Sequence, residues 1–131
     1  MDLIQILKDA LCHDEKVIKQ SEMNINNLAA QNFGAFLIQL AEILSNEGVE
    51  KAIRQISATI IKNMIVYNQL FLGRYSQLDQ ETKMQIKNRV LSTLASSEKE
   101  VRKAAALAVV GKNNIFNKLL EKTFFNFYQK H

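Results

Sequence analysis

A chain of 131 residues with no proline and only four glycines contains almost nothing that would interrupt a helix. Proline lacks the amide donor and clashes with the preceding turn, and glycine is costly to order. Their scarcity favours long helices joined by short polar turns. The apolar spacing agrees with that constraint. Leu3, Ile6, Leu7, Ala10 and Leu11 form one stripe over residues 2–12. His13-Asp14 predicts a turn, with Asp14 as the N-cap of a helix reaching about Ala30. In that helix Val17, Ser21, Ile25 and Leu28 share one side, and Lys16, Lys19, Gln20, Met23 and Asn27 make a more polar one.

Asn32 is the next cap. Phe33, Phe36, Leu37, Leu40, Ile43 and Leu44 then repeat at three and four residues until Ser45-Asn46-Glu47-Gly48. A fourth helix is predicted from Val49, with Val49, Ala52, Ile53, Ile56, Ile60 and Met64 on its apolar side and Ile61 and Ile65 widening the stripe. Residues 66–78 are less regular and break at Gly73. Asp79 caps a fifth helix whose Thr82, Ile86, Val90, Leu91 and Leu94 face inward. Ser97 followed by Glu100 has capping-box spacing and opens a sixth helix that runs to Gly111. Its alanines 104, 105, 106 and 108 permit close approach of a neighbour.

The expected fold class is all-α, with helix pairs over 2–30, 33–66 and 79–111 and a terminal helix or cap over 112–131. Short loops within pairs make the partners antiparallel. Successive pairs fit a helical solenoid, an alpha-alpha superhelix, better than a four-helix bundle, although a compact six-helix bundle would show the same periodicity. The aromatic cluster Phe124, Phe125, Phe127 and Tyr128 either caps the stack or forms an exposed patch.

Composition narrows function mainly by exclusion. A hydrophobic fraction of 47% supports a buried core, and no apolar run approaches the roughly 20 residues that span a bilayer. The opening residues lack the basic leader and cleavage site of a signal peptide. Cys12 is the only cysteine, and the two histidines, His13 and His131, have no metal-ligand spacing. With no nucleophile motif and no glycine-rich phosphate loop, the chain is expected to be no enzyme and to need no metal or cofactor. The net charge of +4 is local: residues 1–97 balance ten basic against ten acidic side chains, and 98–131 hold seven against three. Arginines at 54, 74, 89 and 102 are too dispersed for specific nucleic-acid binding. Lys99, Arg102 and Lys103 share a helical face that serves either as a solvated surface or as contact for an acidic partner.

Several stretches carry a resemblance. They are MDLIQIL at the start, NLAAQNFGAFLIQLAEIL over 27–44, IRQISATIIKNMI over 53–65, Arg74-Tyr75, and ETKMQIKNRVLSTLAS over 81–96. Residues 1–96 thereby resemble the N-terminal region of the importin-beta (karyopherin-beta) family of nuclear transport receptors. Arg54, Ala58, Ile61, Lys62 and Asn63 occupy the family's arginine, small-apolar and hydrophobic-Lys-Asn positions. Gly34 stands where a proline is usual, and Tyr75 where a tryptophan is usual.

The resemblance implies a right-handed superhelix of about three HEAT repeats, with 2–12, 33–45 and 79–95 as outer helices and 15–30, 49–66 and 98–111 as inner ones. It implies binding of the small GTPase Ran in its GTP form through the inner helices. Lys16, Lys19, Gln20, Met23, Asn27, Lys62, Asn63, Lys99 and Arg102 are the candidate contacts. Arg54 and Asn63 have an alternative use in hydrogen bonds between repeats. The implied setting is the cytoplasm, nucleus and nuclear envelope, with nucleoporins and cargo or an adaptor held elsewhere in a longer receptor. Two other readings stay open. One is a stand-alone helical adaptor that binds peptides or phosphoinositides in membrane trafficking. The other is a fragment that folds but binds nothing alone.

Overall fold

The computed structural model describes residues 2–67 and 74–109, and within them there are helices and turns and no strand. The helices are α1 (Leu3–Ala10), α2 (Glu15–Gln31), α3 (Phe33–Ser45), α4 (Lys51–Lys62), α5 (Gln80–Thr93) and α6 (Lys99–Val109), and α4 runs on into a π-helical turn over Asn63–Tyr67. Expectations about Gly73, the terminal helix or cap over 112–131 and the aromatic cluster at 124–128 fall outside the described residues.

Four helix starts are fixed by side chains that accept the orphan amides of the first turn. Asp2 accepts from the amide of Ile4 at 3.0 Å, Asp14 from Lys16 at 2.9 Å, Asn32 from Ala35 at 3.0 Å and Asp79 from Thr82 at 2.7 Å. The Thr82 side chain and amide hold the Asp79 carboxyl below its ordinary value. The sixth helix departs from the capping-box expectation. The Ser97 hydroxyl donates to Glu47, 50 residues earlier, while Ser96 Oγ accepts from the Glu98 amide. A carboxylate from another turn has taken the position that Glu100 was expected to share. The fourth helix begins at Lys51 rather than Val49, because the Val49 amide closes a turn onto the Asn46 carbonyl.

The helices form a two-layered solenoid of about three HEAT-like repeats. α3 packs on α4 and α5, α4 on α6, and α5 on α6, so α3–α5 make one layer and α4–α6 the other. The core runs through Phe33, Phe36, Leu37, Leu40, Ala41 and Leu44 of α3 to Ile53, Ala58 and Ile61 of α4, and on to Ile86, Val90, Val101 and Ala105. The first pair is less regular: α1 packs on α2 and leans on α4, the opposite layer from the one its place in the repeat implies. α1 has eight residues and buries only Leu3, Ile6 and Leu7, too little to cover α3. A cleft of about 370 Å³ remains between Asp2–Ile4, the α3 residues Gln39, Glu42 and Ile43, and Asn46 and Val49.

Two buried serines draw the pairs together. Ser21 Oγ donates to the Ile6 carbonyl at 2.8 Å, and Ser57 Oγ donates to the Leu40 carbonyl at 2.6 Å. In each case a small hydroxyl on the second helix of a pair reaches the backbone of the first, which a larger side chain would hold away. Gly34 serves the neighbouring contact between α3 and α5: a Cβ there would lie 3.2 Å from both Leu78 Cδ2 and Thr82 Cγ2.

The segment entering α5 closes over the α2–α3 corner. Arg74 lies 5.6 Å from the Phe33 ring centroid and donates to the Ala30 carbonyl, and Lys83 sits 5.8 Å over the buried Tyr75 ring while donating to the Ser76 carbonyl. Burial pushes the Tyr75 hydroxyl well above its ordinary value. In the folded chain Tyr75 therefore keeps its proton at a pH where the unfolded chain has lost it. Its contribution to stability is intact below about pH 10 and falls above it, at about 1.4 kcal/mol per pH unit. Urea unfolding between pH 9 and 11 is expected to show that decline. Tyr75→Phe, which keeps the ring, removes the part due to this group.

Candidate protein-binding face

Among the described residues the one charged side chain carried fully into the core is Arg54, with 1% of its surface exposed. Its position follows from helix ends. The last carbonyls of α3 lack intrahelical partners, and Arg54 Nε donates to one of them, Leu44, at 2.9 Å. One terminal nitrogen donates to Glu47 Oε2 at 3.0 Å and the other to Ser96 Oγ at 3.2 Å, just past the end of α5. The cation thus meets the negative ends of two helices, a carboxylate and a hydroxyl. Glu47 completes the joint by accepting from both the amide and the hydroxyl of Ser97. The Ser96 hydroxyl, the Arg54 guanidinium and the Ser97 amide together hold the Glu47 carboxyl below its ordinary value. Arg54 therefore bonds between successive helix pairs. Its motif companions Ala58 and Ile61 are buried beside it, Lys62 is half-buried, and Asn63 is exposed at the start of the π-turn.

The remaining candidates divide by face. On α2 the packed residues are Ser21, Ile25 and Ala29. At 100° per residue, Lys16, Lys19, Gln20, Met23 and Asn27 lie on the opposite side of that helix, and all five are exposed. Met23, with 58% of its surface exposed, is the apolar centre of this otherwise polar ridge. On α6 the packed residues are Val101, Ala105 and Ala108, which leaves Lys99, Lys103 and Leu107 facing out. Arg102 lies between these faces. Its guanidinium folds back to the Ser96 carbonyl at 2.7 Å and so closes the end of α5. An ion pair at 3.7 Å, Lys51 with Glu100, bridges the adjacent starts of α4 and α6.

Glu47, Ser57 and Ser96 were not legible as structural residues, since none carries a periodic signal. Glu47 and Ser96 stand in turns, and Ser57 is not among the apolar positions of the fourth helix. The described residues hold no group of three or more His, Cys, Asp or Glu side chains placed to bind a metal ion. No helix among them is long and apolar enough to cross a membrane.

This architecture can be set beside known proteins. The family profile of the importin-beta N-terminal domain matches residues 21–96. The chain belongs to the importin-beta family. It is 30% identical over 118 residues to importin subunit beta-1 of Schizosaccharomyces pombe and 28% identical over 114 residues to that of Arabidopsis thaliana. Each alignment covers 83% of this chain and 13% of the relative. A crystal structure of importin beta in an ammonium sulfate condition superposes with a TM-score of 0.79 at 29% identity, again over 83% of this chain and 13% of that one. The chain therefore spans about an eighth of the length of these relatives. The profile match contains the Arg54 joint on its α3–α4 side and ends at Ser96, the residue that receives the Arg54 bond.

Proposed function

We propose that this chain is the Ran-sensing part of a nuclear transport receptor, binding Ran in its GTP form during nuclear protein import. The observation that carries the reading is the exposed ridge Lys16, Lys19, Gln20, Met23 and Asn27, set opposite the packed face of α2 in a chain of the importin-beta family. A basic and amide-rich ridge around one exposed methionine suits a broad polar interface with a convex protein partner better than it suits a small molecule. Lys62, Asn63 and Lys99 extend the basic and amide character onto the second and third pairs. Arg102 contributes to the same region mainly by holding the turn that presents Lys99.

On this reading the HEAT-like pairs are 2–30, 33–66 and 79–111, with 112–131 as a terminal helix or cap. Cargo, adaptor and nucleoporin contacts belong to the rest of a longer receptor that moves between cytoplasm and nucleus and works at the nuclear envelope. Calorimetric titration with Ran loaded with a non-hydrolysable GTP analogue is expected to give micromolar or tighter binding, and Ran-GDP none. Lys62→Glu is expected to weaken the GTP-form complex about tenfold while leaving the helical circular dichroism unchanged. Unaltered binding would take Lys62 out of the contact set. Absence of binding to either form would refute the reading for this chain.

A further inference from the structure

Ser97 lies in the turn between α5 and α6, ahead of the first helical residue, and is exposed. The residues that follow it are Glu98, Lys99 and Glu100, which place carboxylates at the first and third positions after the hydroxyl. A kinase with a basic substrate groove reads that arrangement through charge-assisted bonds, and a turn residue can extend into such a groove without unwinding a helix. Inside the fold the same hydroxyl donates to Glu47 Oε2 at 3.2 Å, the oxygen that also accepts from Arg54 at 3.0 Å. Only one other described serine, Ser76, has an acidic residue three positions on, and that carboxylate, Asp79, is committed to capping α5.

We infer that Ser97 is a phosphorylation site for an acidophilic serine kinase, and that its phosphate replaces Glu47 as the anion facing Arg54. In the transfer Ser97 Oγ attacks the γ-phosphorus of ATP. The new O–P bond forms as the bond to the β–γ bridging oxygen breaks, the hydroxyl proton passes to the kinase's base, and ADP leaves. The product places close to two negative charges beside the Glu47 carboxylate. The two anions cannot share the same donors. Glu47, whose side chain is already 54% exposed, swings into water. The phosphate is tethered at the N-terminus of α6, where free amides and the helix dipole favour it, and Arg54 lies within its reach. Arg54 thus keeps an anionic partner on the α6 side, while the 46–50 turn loses its tie to α6.

The test treats the full chain with ATP and a purified acidophilic serine kinase. One phosphate is expected, localised to Ser97 by fragmentation mass spectrometry and absent from Ser97→Ala. Amide hydrogen exchange over 46–50 should rise roughly tenfold on phosphorylation, with no rise over 99–105. Glu47→Gln should accept phosphate equally well and show no further rise over 46–50. Failure to phosphorylate Ser97 would overturn the inference. So would a phosphorylated chain with unchanged exchange over 46–50, or one with faster exchange over 99–105.

Discussion

Arg54→Ala is expected to lower the unfolding free energy by about 3 kcal/mol, read as a shift of the urea midpoint with little change in slope. The cost comes from what the guanidinium leaves behind. The Leu44 carbonyl loses its donor at the end of α3, Ser96 Oγ loses its bond, and a volume with only 1% exposure is emptied. Glu47 is less exacting, because water reaches it once the cation is gone; Glu47→Gln should cost well under half as much. Arg54→Lys separates charge from shape. A single ammonium cannot serve three acceptors set out for a planar fork, so most of the loss should remain. Full recovery by lysine would show that net charge, rather than the bridge, matters at this joint.

Leu40→Ala is the second large effect, with an expected loss of about 3 kcal/mol. Leu40 is fully buried in α3, the helix that touches both α4 and α5, and its carbonyl receives the Ser57 hydroxyl. Neighbours held on two sides cannot collapse freely into the space, so the cavity persists. Leu107→Ala is the matched control. That side chain is 53% exposed on α6, and its removal should change stability by less than about 0.5 kcal/mol. Similar losses in the two variants would contradict the packing described for α3.

Much of the helical layout was legible because its signals are local. Asp14, Asn32 and Asp79 act as caps where their positions suggest, and the Phe33-to-Leu44 stripe is the buried face of α3. The fourth helix shows where that logic stops. The sequence pattern puts Ala52, Ile56 and Ile60 on the inner stripe, yet Ala52 is exposed and both isoleucines are half-buried. The buried face is rotated onto Ile53, Arg54, Ser57, Ala58 and Ile61. Arg54 and Ser57 belong in the core because α3 offers carbonyls at 2.9 and 2.6 Å, and those acceptors come from residues 10 and 17 positions away. A hydrophobic period contains no term for such partners.

The candidate face divides in the same way. The α2 ridge is readable because it is simply the side opposite the packed one. Arg102 shares a helical face with Lys99 in sequence, but its guanidinium is turned toward Ser96 by a contact that periodicity does not encode.

The Arg54 joint also dictates an order of events during synthesis. The chain emerges from its N-terminus, so α3 and α4 are available well before Ser96, which lies 42 residues beyond Arg54. Until that segment arrives the guanidinium has only the Leu44 carbonyl and Glu47, and the nitrogen that Ser96 will take is left to water. The joint is therefore complete only once residue 96 is out, when Ser96 adds the third bond and ties the second pair to the third. A nascent chain halted near residue 80 would hold α4 to α3 by the Leu44 and Leu40 bonds alone, with Arg54 open on its far side.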